Sequence, residues 1–348
     1  MAQGHHPNRF ESTHCDEDLE QLADDDPLRD ERRVTTQFLP DAARTIIREN
    51  TSPDIPFRYS INPYRGCEHG CAYCYARPTH ETLGLDAAID FETKIIVKYD
   101  AAALLRAELN RPRWQAEPIT ISGVTDCYQP AERELRITRQ LLEVMHEANQ
   151  PVGVITKNAL VCRDLDLLGP MAARQLMHVN VSITTLDAEL GRTMEPRTST
   201  PAARLRAIEK LTAAGVPCRV MVAPVIPGLT DEEIPAILEA ARAAGAQAAG
   251  YTLLRLPLAV GPIFEDWLAR RLPLKRERIL ARIRDTRDGA LNDSQWGRRM
   301  RGAGAYAEQI AQTFRIFAAR HALDGALPPF DRSCFRPPAA PGGQLRMF

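Results

Sequence analysis

The sequence predicts an α/β fold: a partial (β/α)6 barrel of the TIM type, with a polar N-terminal extension and a helical C-terminal section. Three observations predict it. Short apolar runs alternate six times with amphipathic segments of helical period. Those runs are apolar almost throughout, as in parallel strands covered on both faces. A cysteine-rich loop stands before or at the first unit, and in such folds ligands sit at the carboxyl ends of the strands.

Taken in order, residues 1–55 are polar and rich in Asp, Arg and Thr, and are expected to be an extension that is partly disordered or lies across the core. The core spans residues 56–257. Its apolar runs are Thr93–Lys98, Pro118–Gly123, Val152–Lys157, His178–Thr184, Arg219–Ile226 and Gly250–Leu254. Asp100 is placed to cap a helix through Leu104, Leu105 and Leu109. A helix is expected from Ala131 through Met145, another begins at Leu165, and the one from Pro201 to Ala214 ends at the C-cap glycine Gly215. Asp231 opens a further helix through Ile237, Leu238 and Ala241. Residues 258–348 read as a helical section and a Pro-rich tail. It holds an arginine-rich helix through Leu280 and Ile283, a flexible basic turn at Arg298–Gly304 and a helix from Tyr306 to about His321.

At 348 residues with 44% hydrophobic content the chain can bury a large core. No apolar run approaches the roughly 20 residues that span a bilayer, and the N-terminus lacks the apolar centre of a signal peptide. A cytoplasmic protein with no membrane partner is expected. The net charge of −1 argues against a basic nucleic-acid coat. Acidic residues crowd 16–18 and 24–26, and arginines crowd Arg298–Arg301; charge runs of this kind are usually solvated faces. Eight cysteines in a cytosolic chain argue against a disulfide framework. Cys162 and Cys218 lie in hydrophobic stretches and are expected to be buried thiols. His14–Cys15 has no spacing partner nearby.

Cys67, Cys71 and Cys74 stand at the spacing C-x3-C-x2-C, among glycine and polar residues that favour a loop. A loop can wrap three thiolates around one soft metal centre. Four would complete a structural zinc or a closed iron–sulfur cluster; three leave one iron open to a small molecule. The alternative is a zinc knuckle with His69 or His80 as fourth ligand.

This loop, with Tyr73 just before its last cysteine, resembles the signature of the radical S-adenosylmethionine (SAM) enzymes. The resemblance continues through Asn62–Cys67, Thr125–Asp126, Ile155–Asn158, Val181–Thr184, Glu195–Thr198 and Val222–Gly228. These segments, in order over roughly residues 55 to 290, are similar to the branch related to spore photoproduct lyase. The resemblance implies one [4Fe–4S] cluster on Cys67, Cys71 and Cys74, SAM chelated to its open iron, and reductive cleavage to a 5′-deoxyadenosyl radical that abstracts hydrogen. It further implies SAM contacts from Thr125, Asp126, Lys157, Ser182 and Thr184 at successive strand ends, with Tyr73 beside the adenine. An external electron donor of flavodoxin or ferredoxin type is also implied. Arg197 could anchor substrate or pair with Glu195, while Pro224 and Pro227–Gly228 are expected to shape a strand end.

One departure limits the resemblance. Spore photoproduct lyase returns a hydrogen atom from a cysteine just before its Thr-Ser-Asp segment, and the corresponding position here is Gly123. Cys127, four residues on, could take over as hydrogen donor or be a buried structural thiol. Repair of spore photoproduct is therefore not expected. No second C-x-x-C pair suggests an auxiliary cluster, and no cobalamin-binding segment is visible. A rival reading is a nucleic-acid-binding protein with a structural metal centre, motivated by Arg298–Arg301 and by Tyr128, Trp267 and Trp296.

Overall fold

The computed structural model describes residues 35–339. The acidic runs at 16–18 and 24–26, the His14–Cys15 pair and the end of the tail lie outside them. The strands are β1 (Gln37–Pro40), β2 (Arg48–Glu49), β3 (Tyr59–Ile61), β4 (Tyr64–Arg65), β5 (Lys94–Val97), β6 (Ile119–Ile121), β7 (Val152–Thr156), β8 (Met177–Ser182), β9 (Cys218–Val225) and β10 (Ala248–Leu253). The helices are α1 (Ile89–Thr93), α2 (Ala101–Leu109), α3 (Glu132–Leu135), α4 (Ile137–Ala148), α5 (Leu165–Ala172), α6 (Ala188–Met194), α7 (Pro201–Ala213), α8 (Ile234–Ala243), α9 (Val260–Arg271), α10 (Arg276–Asp285) and α11 (Ala305–Arg320).

A seven-stranded sheet runs in the order β10-β9-β8-β7-β6-β3-β2. β3 and β6 to β10 pair in parallel, and β2 joins β3 antiparallel. This is the expected partial barrel, with one strand exchanged. Lys94–Val97 is a strand, but it belongs to a second sheet, β1-β5-β4. The barrel starts instead at β3, whose three residues are too few to show a period, and the cysteine loop follows it. The extension is also more ordered than its polarity suggests. β1 and β2 dock on β5 and β3 through backbone ladders, which need no apolar side chains.

Along β7 to β9 the side chains alternate across the sheet. Val152, Val154, Val179, Val181, Val220 and Val222 are buried in the main core. On the opposite face Asn180, Arg219, Met221 and Ala223 are only half-buried. Each fully buried valine contributes on the order of 1.5–3 kcal/mol of transfer free energy, so the wall is rigid and its strand ends hold their spacing.

A second core cluster joins Phe264, Trp267 and Leu268 of α9 and Ile279, Leu280 and Ile283 of α10 to Cys71, Ala72, Tyr73 and Met194. The C-terminal helices therefore form the wall behind the cysteine loop. The helix expected over 131–145 is two helices, broken at Arg136 with φ +51°. The cause is Glu132, whose carboxylate accepts from the Thr138 and Arg139 amides at 3.0 and 3.3 Å and so caps α4.

Arg298–Arg301 is not a free basic turn. Met300 accepts the Leu253 amide at 3.0 Å, and Leu323 accepts that of Ala249 at 2.8 Å, covering the β10 edge. Arg298 pairs with Asp288 and Asp293, Arg299 with Asp54, and Arg301 lies 4.3 Å over the Tyr251 ring. No described helix is long and apolar enough to cross a membrane.

Candidate metal centre and cofactor site

The cysteine loop is held by buried polar groups. Arg77 is fully buried, and its guanidinium donates to the Cys71 carbonyl at 2.9 and 3.1 Å and to the Ala87 and Ala88 carbonyls at 3.0 and 2.9 Å. Its charge is met by Glu92 at 2.6 Å, which also receives Arg197 at 3.2 Å. Gln129 accepts the Glu68 amide at 2.9 Å and donates to the Gly66 carbonyl at 3.2 Å. Two glycines allow the tight winding. Gly66 has φ +82° and Gly70 φ +63°, and a Cβ at Gly70 would lie 2.7 Å from a Glu92 oxygen.

Cys67 and Cys71 are buried and Cys74 half-buried. Burial pushes all three thiols up, and charge on each of its neighbours pushes Cys67 further. Buried thiolates need a bound positive centre, which a metal group supplies. Among the described residues no three His, Cys, Asp or Glu side chains close on a single point. Three cysteine thiolates are the donor type that iron–sulfur clusters take, and the chemistry of this donor set fits such a group. Of the imidazoles offered for a zinc knuckle, His69 is engaged on both ring nitrogens and His80 on one, its buried Nδ1 having no hydrogen-bond partner among the described residues. His69 lies between Asp126 at 3.5 Å and Asn158 at 3.3 Å, and burial takes its pKa down to about 4. His80 Nε2 donates to the Lys94 carbonyl at 2.9 Å.

The predicted strand-end residues gather beside this loop. Asp126 accepts from the Thr156 hydroxyl at 2.8 Å and the Lys157 amide at 2.7 Å, tying the end of β7 to the loop after β6. The Thr125 hydroxyl donates to the Tyr64 carbonyl at 2.7 Å. Lys157 Nζ reaches the Ala223 carbonyl at 2.9 Å, Glu195 at 3.3 Å and the Thr184 hydroxyl at 3.4 Å, and stands 5.6 Å over the Tyr73 ring. Thr184 donates to Glu195 at 2.9 Å, and the Tyr73 hydroxyl bonds Glu195 as well. The Ser182 hydroxyl forms no hydrogen bond among the described residues, although the residue is 6% exposed.

Two expected partners change. Arg197 does not pair with Glu195; it bonds the Glu68 carbonyl and Glu92, and so fixes the cysteine loop. Glu195 is instead paired with the buried Arg204. Burial alone would raise the Glu195 carboxyl, but Arg204 and Lys157 hold it well below the usual carboxylate range. Cys127 is fully buried in the main core, as in the structural-thiol alternative, with no surface for a substrate to reach. Cys218 is buried as expected, and Cys162 is half-buried.

Gly123 is crowded: a Cβ there would stand 3.3 Å from Ser60 Cβ, and its carbonyl accepts the Tyr75 hydroxyl at 2.6 Å. The rival nucleic-acid reading loses most of its aromatics. Tyr128 is buried and bonds Asp164 at 3.0 Å; Trp267 is buried and donates to the Thr193 carbonyl at 3.0 Å. Only Trp296 of the three, at 66%, is well exposed.

Sequence reasoning missed Arg77, Glu92, Gln129 and Arg204. The Glu195–Thr198 segment pointed to the neighbourhood, but no local spacing marks the others.

Residues 61–241, over half of the chain, match the family model of the Radical SAM superfamily. An uncharacterized protein of Mycobacterium tuberculosis is 42% identical over 221 residues, which cover 63% of this chain and 65% of that protein. An uncharacterized protein of Methanocaldococcus jannaschii is 27% identical over 176 residues, covering 51% and 63%. The matched stretch thus spans less than two thirds of these relatives' own length. Among solved structures, spore photoproduct lyase complexed with dinucleoside spore photoproduct superposes with a TM-score of 0.58 at 18% identity, over 82% of this chain and 79% of that one. That likeness is one of fold. With the family match spanning the three-cysteine loop and the strand ends that surround it, the chain belongs to the radical SAM superfamily.

Proposed function

We propose that the chain is an enzyme that binds one [4Fe–4S] cluster through Cys67, Cys71 and Cys74 and cleaves SAM reductively to start hydrogen abstraction from a substrate. The observation that carries this reading is the gathering of the three cysteine thiols, two buried and one half-buried, with Lys157, Ser182 and Thr184 at the carboxyl ends of parallel strands. Bound together, cluster and SAM supply the one-electron chemistry that yields a 5′-deoxyadenosyl radical.

The chain's own residues hold and orient. Arg77, Glu92, Gln129 and Arg197 fix the loop that carries the thiols. The free Ser182 hydroxyl is available to a ligand polar group. Three protein acceptors surround the Lys157 ammonium, so taking a ligand carboxylate exchanges one of them. Thr125, Asp126, Thr184 and Tyr73 already bond protein groups, and their part is to set the positions of the strand ends and the loop. The helical section backs the loop and limits water. An external electron donor of flavodoxin or ferredoxin type serves as reductant. Cys127 is sealed in the core and position 123 is a glycine, so neither is offered as hydrogen donor and spore photoproduct repair is not part of the proposed function.

The test is anaerobic reconstitution of wild type and Cys71→Ala, followed by reduction with SAM. Wild type is expected to show visible cluster absorbance and to form 5′-deoxyadenosine; Cys71→Ala loses both. A colourless wild-type protein with stoichiometric zinc refutes the reading.

A further inference from the structure

The loop after β10 carries a guanidinium that forms no ion pair with a carboxylate among the described residues. Arg255 is half-buried; its charge lies 5.2 Å over the Tyr75 ring, and its Nη1 touches the Met300 sulfur at 3.8 Å. Its buried Nε has no hydrogen-bond partner among the described residues. Beside it Arg287 is 2% exposed, donates to the Leu254 and Arg298 carbonyls at 2.7 and 3.0 Å, and also leaves Nε unpartnered. The nearby carboxylates are already taken: Asp54 by Arg299, Asp288 and Asp293 by Arg298. Burial, then the charge of Arg299, pulls Arg255 down, and burial takes Arg287 to about 10. Desolvated arginines without counter-ions are costly, and a protein retains them where an anion completes the pair.

The place adds a second argument. Tyr75 follows Cys74 directly, is 44% exposed, and is pinned by its hydroxyl to the Gly123 carbonyl at the end of β6. Val124, at 39%, extends the apolar surface. An aromatic face and an unanswered arginine fork thus stand together at the barrel mouth, one residue from the cysteine loop.

We propose that Arg255, supported by the positive charge of Arg287, is a binding site for an oxyanion group, phosphate or carboxylate, of the substrate, whose apolar part lies on Tyr75. This deepens the radical-enzyme reading and rests on it for the word substrate. A planar guanidinium meets such a group through two parallel hydrogen bonds.

The experiment measures thermal shifts of the full-length reconstituted protein in sodium phosphate and, in a parallel arm, sodium acetate, each against sodium chloride at matched ionic strength. Iron content and SAM cleavage are assayed on the same sample. Wild type is expected to show a saturable rise in Tm with one of the two anions, and the responding arm names the group. Arg255→Gln loses that rise relative to its own anion-free Tm, and Arg255→Lys keeps a response with an apparent Kd raised about tenfold. Arg255→Lys alone decides if the glutamine variant does not fold. Equal responses in wild type and variants, or none in either arm, overturn the site. Failure of anion binding in a protein that cleaves SAM removes this site alone. Arg255-dependent binding without iron or cleavage removes the radical reading instead.

Discussion

Glu195 is 2% exposed and bonds Arg204, Thr184 and Tyr73 while facing Lys157 at 3.3 Å. Its partner Arg204 is equally buried and donates to the Ser182 carbonyl at 3.0 Å, so one ion pair links the end of β8 to the Tyr73 side of the loop. Removing one charge of a buried pair leaves the other desolvated and unmatched. Glu195→Gln is expected to cost about 3 kcal/mol, read by denaturant unfolding. The double variant Glu195→Gln/Arg204→Met is expected to recover part of that loss, because the buried Arg204 charge goes with its partner and only the less buried Lys157 is left without a carboxylate. A double variant no more stable than the single one would show that packing, not charge, sets the cost. At this scale the sequence was half legible. The cysteines stood out because a short spacing encodes their convergence. Arg204 and Glu195 lie nine residues apart, and Arg77 and Glu92 fifteen, and no period distinguishes such pairs from solvated charges.

Among the elements, the loop from Gly66 to Cys74 depends on backbone that side chains disfavour. Gly70→Ala forces a left-handed residue, costing about 1–2 kcal/mol, and drives its Cβ against Glu92, which is already held between Arg77 and Arg197. Glu92 cannot yield without releasing Arg77 from the Cys71 carbonyl. The expected outcome is a lower iron content per chain after reconstitution together with a lower Tm. Full iron content with only a lowered Tm would mean that the loop tolerates the shift. The long strands β7, β8 and β9 were legible as apolar runs. β3 was not, since three residues show no pattern, and β5 was read into the barrel because an apolar run does not state which sheet it joins. The break between α3 and α4 escaped notice because its cause, the Glu132 cap, is made by a side chain folding back across the turn.

For the molecule as a whole, the barrel is an open sheet whose edges are β10 and β2, and Arg299 provides a side-chain tie between them. Arg299 sits in the segment that covers the β10 edge and reaches Asp54, in the turn between β2 and β3, at 2.5 and 2.7 Å. These residues are 245 positions apart, so the tie closes a very long loop. The hydrogen bond from Arg299 holds the Asp54 carboxyl well below its ordinary value of 3.8. A carboxylate whose folded pKa is depressed adds stability above its unfolded pKa, and that stability fades as pH falls toward the folded value. Because the pair is near the surface, its contribution is about 1 kcal/mol or less. Asp54→Asn is therefore expected to lower Tm by about 2 °C near neutral pH. The gap between wild type and variant should persist down to about pH 4 and narrow below it. A gap that stays constant from pH 7 to pH 3 would assign the tie to hydrogen bonding that asparagine cannot reproduce, rather than to charge. A gap that widens on acidification would contradict the depressed carboxyl. The same variant also frees Arg299 beside Arg255. If the edge tie and the mouth act as one electrostatic unit, Asp54→Asn should strengthen the oxyanion response that Arg255→Gln abolishes, since a second unanswered guanidinium then faces the same anion.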